Sequence, residues 1–537
     1  MKGFEAIAEL IRNSGSPTVF AVLASTNAPY LAYGTATGAF PLVKTRHEET
    51  ATTAAAAFSR ATGLVGISSV QRGPGLANAV NALMVASSVH APVVVLVAES
   101  PATKDTTAKN VHQKALVESI GIGFHHAVDG GDIESRFYDA IRAARWNGRP
   151  QVLSIGDGVM RDDVTLTQDF DTSATTQTPV DSEAVRAAID AFEQARRPLI
   201  VAGRGAINAG VRSALEEFAD LTGARLANSL QGTGIFAGHP SNLGLCGTWA
   251  PRLVQEFLAK SDVVLGVGAS LNRHTTAGGT VFGGAKVIHC EIDLDQPMMA
   301  SSADLALLGD ARNTVPALIH EWRRRGLAAR SVEGGLPTVD EIRATVMKVD
   351  IGHDPARGLD VRDVLTEFDR KLPDDRVVVT DSGRHIVAVP TLVGARDAHS
   401  WLLSRGYGSV GLGLGAAIGA AAAHPGRRIA LFCGDGGFTM ASQELDTIRE
   451  YGFDVTVVVL NDLMYGAEVR YLAKFGLPPD VLRMGFPDVE PLARAYGGRG
   501  VVIRTKQELL DLELPGPGLF IVDARIDPEA DAHDAIG

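Results

Sequence analysis

Residues 434–468 read GDGGFTMASQELDTIREYGFDVTVVVLNDLMYGAE, and this stretch decides the fold of the chain around it. A short apolar run, residues 429–433, precedes it, and a second run, residues 455–460, lies within it; both have the length and composition of buried strands. The segment between them has helical spacing of apolar residues and ends at Gly452, where a helix C-terminus favours glycine. The stretch therefore predicts a strand–helix–strand unit whose parallel strands end at one edge of a sheet.

The helix predicted between these strands has two faces. Met440, Leu445 and Ile448 recur at roughly helical spacing, so we expect them to face the core. Glu444 belongs to the charged residues of the opposite face, which we expect to face solvent. The glycine-rich residues 434–437 are expected to form a turn before the helix, because glycine tolerates the backbone angles of tight turns.

An acidic residue follows each of the two strands. Asp435 follows the first strand and Asp462 follows the second, so the predicted unit places them side by side. Two carboxylates beside a glycine turn with free N–H groups suit a magnesium ion that also binds phosphate oxygens. An ordinary solvated turn is the alternative for a single GDG, and the second acidic turn favours the metal site.

The GDG, the helix and the Asn-containing turn together resemble the diphosphate motif of thiamine-diphosphate enzymes. The surrounding chain is similar to the acetolactate synthase and pyruvate decarboxylase group. This resemblance implies thiamine diphosphate and Mg²⁺ as cofactors, with the metal bound by Asp435, Asp462 and the backbone carbonyl of Met464. Asp462 departs from the usual asparagine of the family, and its extra carboxylate predicts tighter metal binding but more repulsion toward diphosphate.

The same resemblance implies a set of cofactor contacts in the C-terminal third of the chain. Val410 corresponds to the bulky residue that wedges the cofactor into its bent shape, which is catalysis by positioning. Arg384 lies in a turn that holds the diphosphate in relatives; an exposed surface ion is the alternative. The expected contacts in this part of the chain are Gly383, Arg384, His385, Gly408, Val410, Gly434, Asp435, Gly436, Gly437, Asp462, Met464 and Tyr465.

A second site segment lies near the N-terminus. RHEET, residues 46–50, leads from a predicted strand into an alanine-rich helix, so Glu48 lies at a strand-to-helix junction. Acids favour the first turn of any helix, which is the bland explanation of Glu48. The resemblance implies instead that Glu48 hydrogen-bonds the cofactor's aminopyrimidine, assistance worth roughly 10²–10⁴-fold. It also places Gly73 and Gly75 near the pyrimidine.

Three further residues bear on the fate of the product. Gln113 matches a glutamine of the synthases, and His112 beside it could transfer protons near neutral pH, although a lone histidine is more often structural. Glu468 lies where the decarboxylases carry a proton-donating glutamate. Gln113 therefore favours carboligation, whereas Glu468 favours simple decarboxylation.

The resemblance implies decarboxylation of a small 2-oxo acid followed by carboligation of the resulting enamine. A non-ligating 2-oxo acid decarboxylase or another C–C lyase is the alternative, and a 2-hydroxyacyl-CoA lyase has less support because no basic adenine-nucleotide site stands out. A hypothesis of a different class is a non-catalytic nucleotide- or flavin-binding regulator. Such a regulator has no need of Glu48 and Asp435 together.

The length of 537 residues requires several domains. We predict an α/β fold of three doubly wound domains with parallel sheets: a pyrimidine-binding domain at 1–165, a central domain at 182–325 and a diphosphate-binding domain at 359–527. The polar segment 166–181 and the segment 326–358 are predicted linkers.

The central domain contains a strand followed by Gly203-Arg204-Gly205, which is half of a dinucleotide fingerprint and a weak signal alone. In the synthases, the matching domain holds a flavin that takes no part in the chemistry. Other relatives leave this domain empty or bind an adenine nucleotide there. FAD is therefore an open alternative for this chain.

Composition restricts the partners. The formal charge of −12 and the pI near 5.6 argue against nucleic acid. Three separated cysteines show no metal spacing, the N-terminus lacks a signal-peptide pattern, and residues 406–423 suit a buried helix better than a membrane span. We expect a cytoplasmic enzyme without membrane contact. Because relatives build each site from two subunits, the resemblance also implies a homodimer or homotetramer.

Overall fold

The computed structural model describes residues 1–99, 111–167, 180–292, 303–404 and 406–536. These residues form three six-stranded sheets, one after another along the chain. Every strand pair within the sheets is parallel, as expected when helices connect the strands and cover both faces. The predicted fold class of three α/β units with parallel sheets is confirmed.

The first sheet has the strand order β2-β1-β3-β4-β6-β5. Its strands are β1 (Val19–Ala21), β2 (Leu42–Lys44), β3 (Gly66–Val70), β4 (Val93–Ala98), β5 (Gly123–Ala127) and β6 (Gln151–Ile155). Its helices are α1 (Gly3–Asn13), α2 (Ala28–Thr37), α3 (Glu48–Thr62), α4 (Pro74–Ser88), α5 (Gln113–Ser119) and α6 (Ile133–Asn147).

The central sheet has the order β12-β11-β10-β7-β8-β9, in which the direction of strand addition reverses between β7 and β10. Its strands are β7 (Pro198–Ala202), β8 (Arg225–Asn228), β9 (Asn242–Leu245), β10 (Val263–Val267), β11 (Lys286–Glu291) and β12 (Leu305–Leu308). Its helices are α7 (Ser182–Gln194), α8 (Arg204–Asn208), α9 (Arg212–Thr222), α10 (Arg252–Leu258) and α11 (Ala311–Arg324).

The third sheet has the order β14-β13-β15-β16-β18-β17. Its strands are β13 (Val377–Thr380), β14 (Trp401–Leu403), β15 (Ile429–Gly434), β16 (Val455–Asn461), β17 (Arg499–Ile503) and β18 (Leu519–Arg525). The remaining helices are α12 (Val339–Lys348), α13 (Val361–Lys371), α14 (Val389–Leu392), α15 (Gly413–Ala423), α16 (Asp435–Met440), α17 (Leu445–Tyr451), α18 (Gly466–Ala473), α19 (Val489–Ala495), α20 (Lys506–Asp511) and α21 (His533–Ile536).

One hydrophobic core joins the first and third sheets, and helices α3 and α15 pack together inside it. Glycine permits this close approach. A β-carbon added to Gly419 would lie 2.1 Å from the carbonyl oxygen of Ala54, and one added to Gly415 would lie 3.2 Å from Thr53. The two cofactor-binding units predicted from sequence are thus held together within a single chain.

The prediction of a single helix after β15 is wrong in its start, its continuity and its buried face. Helix α16 begins at Asp435, so the next two glycines belong to its first turn rather than to a preceding turn. A 3₁₀ turn at Ser442–Glu444 then separates α16 from α17. Met440 is 52% exposed, whereas Glu444 is fully buried. Its buried carboxylate is compensated by a hydrogen bond from the backbone N–H of Arg46 at 3.0 Å.

The segments predicted as linkers differ in what the structure describes. The predicted linker 326–358 contains helix α12, which begins with a capping box formed by Thr338 and Glu341. Most of the predicted linker 166–181 lies outside the described residues. The three cysteines are free and buried, as expected. Among the described residues, no helix is both long enough and apolar enough to span a lipid bilayer.

Candidate active site

A cavity of about 120 Å³ opens at the carboxyl ends of β13, β15 and β16, the edge where parallel α/β sheets bind ligands. Twelve of the residues predicted to form the site line it: Gly383, Arg384, His385, Val410, Gly434, Asp435, Gly436, Gly437, Asp462, Met464, Tyr465 and Glu468. The sequence interpretation missed the other lining residues: Val361, Ser382, Leu460, Gly466, Ala467, Ile526 and Ala532.

Asp435 is the first residue of α16 and lies at the base of the cavity. Its Oδ1 accepts a hydrogen bond from the backbone N–H of Gly436 at 2.8 Å, whereas its buried Oδ2 has no hydrogen-bond partner among the described residues. Burial raises the pKa of Asp435 to about 7, and the nearby charge of Asp462 adds to this effect. A buried carboxylate oxygen without a donor is suited to bind a cation.

Asp462 lies beside Asp435 because β15 and β16 pair in register, with Gly434 opposite Leu460. The Oδ1 of Asp462 accepts a hydrogen bond from the backbone N–H of Met464 at 3.1 Å. Burial also raises the pKa of Asp462, and the charge of Arg384 opposes that rise. The pairing of β15 with β16 therefore brings the two carboxylates together, as the strand–helix–strand pattern predicted.

The loop that carries Asp462 is held in an uncommon conformation. Leu463 has a φ of 56°, a left-handed value that residues other than glycine rarely adopt. Its N–H donates to the Oδ1 of Asn461 at 3.0 Å, and the Asn461 amide donates to Asp523 at 2.7 Å. Asn461 thus holds the loop through its side chain, and the strained Leu463 lies directly between Asp462 and Met464.

The turn after β13 presents unpaired polar atoms. Gly383 has a φ of 150° and ψ of 178°, a backbone conformation that is essentially restricted to glycine. Ser382 Oγ and His385 Nε2 are buried without hydrogen-bond partners among the described residues. Burial lowers the pKa of His385 to about 4, so its imidazole is neutral near pH 7. These groups are suited to contact an anion.

Asp381 connects the loops around the cavity, a role that the sequence interpretation missed. Its buried carboxylate accepts hydrogen bonds from the N–H of Ser382 at 2.7 Å, the N–H of Gly411 at 3.0 Å and the hydroxyl of Ser404 at 3.1 Å. A β-carbon on Gly437 would lie 2.6 Å from Asp381 Oδ2. Asp381 therefore fixes the spacing between the β13 turn and the loop that carries Val410.

Val410 projects from the loop before α15. It is 42% exposed and lines the cavity, where an apolar residue can support a bent ligand. Gly408 precedes it with a φ of 82° and does not belong to the cavity lining. The hydroxyl of Ser409 donates a hydrogen bond to the side chain of Asn81 on α4. The loop is therefore anchored to the first domain of the same chain.

Glu48 and its neighbours form a separate group in the first domain. Glu48 begins α3, and its Oε2 accepts a hydrogen bond from the Asn78 amide at 3.0 Å. A β-carbon on Gly75 would lie 3.1 Å from Glu48 Oε1, so glycine keeps that oxygen accessible. Among the described residues, every residue that lines the cavity lies within 361–532. Glu48 and the acidic pair therefore belong to different groups of the same chain.

Gln113 supports the glycine loop near Glu48. Its Oε1 accepts a hydrogen bond from the N–H of Gly73 at 3.0 Å, and its amide donates to the Ala98 carbonyl at 3.1 Å. Gln113 is buried, whereas the preceding His112 is exposed. The side-chain amide of Gln113 is thus engaged with its own domain, and its predicted role toward substrate stays a prediction, as does that of His112.

Three family models match this chain. The N-terminal TPP binding domain of thiamine pyrophosphate enzymes matches residues 1–120, the central domain matches 185–318, and the C-terminal TPP binding domain matches 381–513. The chain belongs to the thiamine pyrophosphate enzyme family. The predicted family and the prediction of a cofactor-dependent enzyme are confirmed.

Curated relatives of this thiamine pyrophosphate enzyme are similar over nearly its whole length. The acetolactate synthase large subunit of Parasynechococcus marenigrum is 28% identical, covering 98% of this chain and 88% of its own. The probable acetolactate synthase large subunit of Methanocaldococcus jannaschii is 26% identical, with coverage of 98% and 92%. Acetolactate synthase isozyme 3 large subunit of Escherichia coli is 26% identical, with coverage of 88% and 84%.

The cavity fits the diphosphate end of thiamine diphosphate. The unpaired oxygen of Asp435 is suited to a cation, and the unpaired Ser382 hydroxyl and His385 imidazole are suited to phosphate oxygens. Because residues 436 and 437 are glycines, Asp435 is the side chain that the first three residues of α16 present to the cavity. The enzyme thus has both ligand chemistries at one strand edge.

The glycine turn of the central domain makes internal hydrogen bonds. The N–H of Gly203 donates to the Val267 carbonyl, and the N–H of Gly205 donates to the Gly268 carbonyl, both at 2.9 Å. A β-carbon on Gly203 would lie 2.2 Å from the oxygen of Gly268. Two of the N–H groups of the half fingerprint are therefore not free to bind a flavin diphosphate.

Proposed function

We propose that this enzyme decarboxylates a small 2-oxo acid and joins the resulting fragment to a second carbonyl compound, as an acetolactate synthase does. The acidic cavity at the β15–β16 edge carries the proposal. The unpaired oxygen of buried Asp435 can bind a metal beside the turn after β13, whose polar groups are proposed to bind phosphate. The similarity to acetolactate synthase large subunits over nearly the full chain supports the reaction type.

The proposed metal is Mg²⁺, bound by the carboxylates of Asp435 and Asp462 and by the carbonyl of Met464. Ser382, His385 and the N–H groups of the first turn of α16 other than that of Gly436, which already donates to Asp435, would hold the diphosphate. Bound thiamine diphosphate supplies the electron sink that decarboxylation requires. We leave flavin out of the proposal because the N–H groups of Gly203 and Gly205 are already hydrogen-bonded within the chain.

Glu48 is the proposed proton donor to the ring nitrogen of the cofactor's pyrimidine. Asn78 donates to one carboxyl oxygen of Glu48, which orients the carboxyl group and leaves its Oε1 for the ring. Gly75 keeps that oxygen accessible, and Gln113 holds the neighbouring Gly73 loop in place. Val410 would support the bent form of the cofactor by contact, as positioning requires.

We infer that the enzyme works as a homodimer or homotetramer in which Glu48 of one copy serves the cavity of another. The separation of the Glu48 group from the cavity lining supports this arrangement. Exposed apolar side chains near the cavity offer surface that a second copy could bury. They are Tyr465, Tyr471, Phe475, Leu477 and Val481.

Incubation with pyruvate, thiamine diphosphate and Mg²⁺ tests the proposed reaction. We expect acetolactate, detected after acid conversion to acetoin, as the main product. Glu468 lines the cavity and is the residue that could protonate the reacting carbon instead. Acetaldehyde without acetolactate or acetoin would contradict carboligation, and the Glu468→Leu variant would then show whether this carboxyl group determines that outcome.

A further inference from the structure

Arg384 lies between the Asp462 loop and the C-terminal segment, residues 526–536. Its side chain is only 12% exposed, and its Nη1 lies 3.7 Å from Asp462 Oδ2. The same guanidinium donates hydrogen bonds to the carbonyl of Pro528 at 2.9 Å and to the carbonyl of Ala530. Arg384 thus faces one carboxylate on the cavity side and backbone carbonyls on the other side.

The C-terminal segment forms part of the cavity wall. Ile526 and Ala532 line the cavity, and the N–H of Ile526 donates to the carbonyl of Asn461 at 3.0 Å. Arg470 on α18 forms a second connection, because its Nε lies 2.6 Å from Asp531 Oδ2. The segment therefore contacts the Asp462 loop directly. Three arginines hold it, since Arg357 also pairs with Asp527 at 3.0 Å.

Charge balance explains why Arg384 is needed at this point. An aspartate at position 462 adds a negative charge where the family usually has a neutral asparagine, next to Asp435 and near Asp531. Arg470 is already paired with Asp531 and Asp534, and burial keeps His385 neutral near pH 7. Arg384 is the cation that lies against Asp462. It offsets repulsion that the extra carboxylate would otherwise exert on a diphosphate.

We propose that Arg384 is a positioning residue that pairs with Asp462 and couples the C-terminal segment 526–536 to the metal site. This inference rests on the proposed function, since it takes Asp462 to be a metal ligand. Arg384 acts through Asp462 and the segment rather than by binding phosphate with its side chain. It makes an aspartate usable at this position without adding net negative charge to the site.

A double-mutant cycle tests the pairing. The variants are Arg384→Gln, Asp462→Asn and the double variant, and the readout is the Kd of thiamine diphosphate at fixed Mg²⁺, measured by calorimetry. Arg384→Gln should raise the Kd about tenfold, and adding Asp462→Asn should return it to within about threefold of the unmodified enzyme, because the unbalanced charge is gone. Equal Kd values for Arg384→Gln and the double variant would overturn the proposal.

Two further variants separate charge from anchoring. Arg384→Lys keeps the charge with fewer donors, so its Kd should stay within about threefold of normal while amide hydrogen exchange rises in residues 526–536. Arg470→Gln also loosens that segment but does not touch Asp462, so Asp462→Asn should not rescue any loss of binding. Two results would contradict the coupling of the segment to the metal site: rescue of Arg470→Gln by Asp462→Asn, or unchanged amide exchange of residues 526–536 in Arg384→Lys.

Failure of the unmodified enzyme to bind the cofactor would instead contradict the proposed function.

Discussion

Glu48 is the first residue of α3, and its proposed role is to donate a proton to the cofactor. Replacing it with glutamine keeps the side-chain volume but removes the proton that the carboxyl group would give to the cofactor ring. We expect Glu48→Gln to lower kcat by roughly 10²–10⁴-fold with little change in thermal unfolding. Steady-state kinetics with pyruvate, together with calorimetric unfolding, measure both effects.

Glu49 offers a matched control for that substitution. It is the next residue of α3, and its carboxylate accepts a hydrogen bond from Asn81 at 2.6 Å rather than from Asn78. Glu49→Gln should change kcat by less than about threefold, because a glutamine oxygen can still accept that bond. Similar losses in the two variants would show that Glu48 acts only by stabilising the helix.

His385 should make the stability of the cofactor-free protein depend on pH. Its pKa in the fold is about 4, below the unfolded value of 6.5. Above pH 6.5 the residue is neutral in both states, and as pH falls toward 4 only the unfolded chain takes up the proton. The residue therefore costs stability across that window, by at most about 3 kcal/mol.

The variant His385→Asn removes this titration. Denaturant unfolding of the cofactor-free protein should show that its loss of stability between pH 6.5 and 4 is smaller than that of the unmodified protein. Parallel losses in the two proteins would mean that the buried imidazole does not control acid stability.

Part of the site was predictable from individual residues, and part was not. Asp435 and Asp462 could be placed together because strand ends in a parallel unit meet at one edge. Asp381 could not be identified, because its contacts depend on how three loops fold against each other. Ile526 and Ala532 were missed because only the folded C-terminal segment brings them to the cavity.

At the scale of elements, the close contact between α3 and α15 determines how the first and third domains pack. Gly419→Ala would place a β-carbon 2.1 Å from the Ala54 carbonyl, which forces the helices apart. We expect a loss of about 1–3 kcal/mol in the free energy of unfolding, measured by denaturant titration. Gly158→Ala is the control, because no atom lies within 4 Å of its added β-carbon. Equal effects of the two substitutions would contradict the packing account.

Contacts between domains could not be predicted from the sequence. The buried position of Glu444 was hidden, since helical periodicity describes one helix and not the domain that docks on it. Its contact with Arg46 exists only because the first and third domains pack together.

At the scale of the whole molecule, Glu48 and the acidic cavity belong to different groups in one chain. If each active site combines them from two copies, an inactive Glu48→Gln chain and an inactive Asp435→Asn chain should complement each other. Random mixing gives half heterodimers with one intact site each, so about a quarter of normal activity should return. Activity of co-expressed, differently tagged chains measures this, and no recovery in isolated heterodimers would contradict a shared site.

We expect the cavity beside Asp435 and Asp462 to hold thiamine diphosphate through a divalent metal. Calorimetric titration of the cofactor into the protein, with and without Mg²⁺, measures this binding. We predict saturable binding that requires Mg²⁺ and that Asp435→Asn weakens by at least about a hundredfold, since a buried metal ligand is lost. Binding that is unchanged by omission of Mg²⁺ and by Asp435→Asn would contradict a cofactor held through a metal at this cavity.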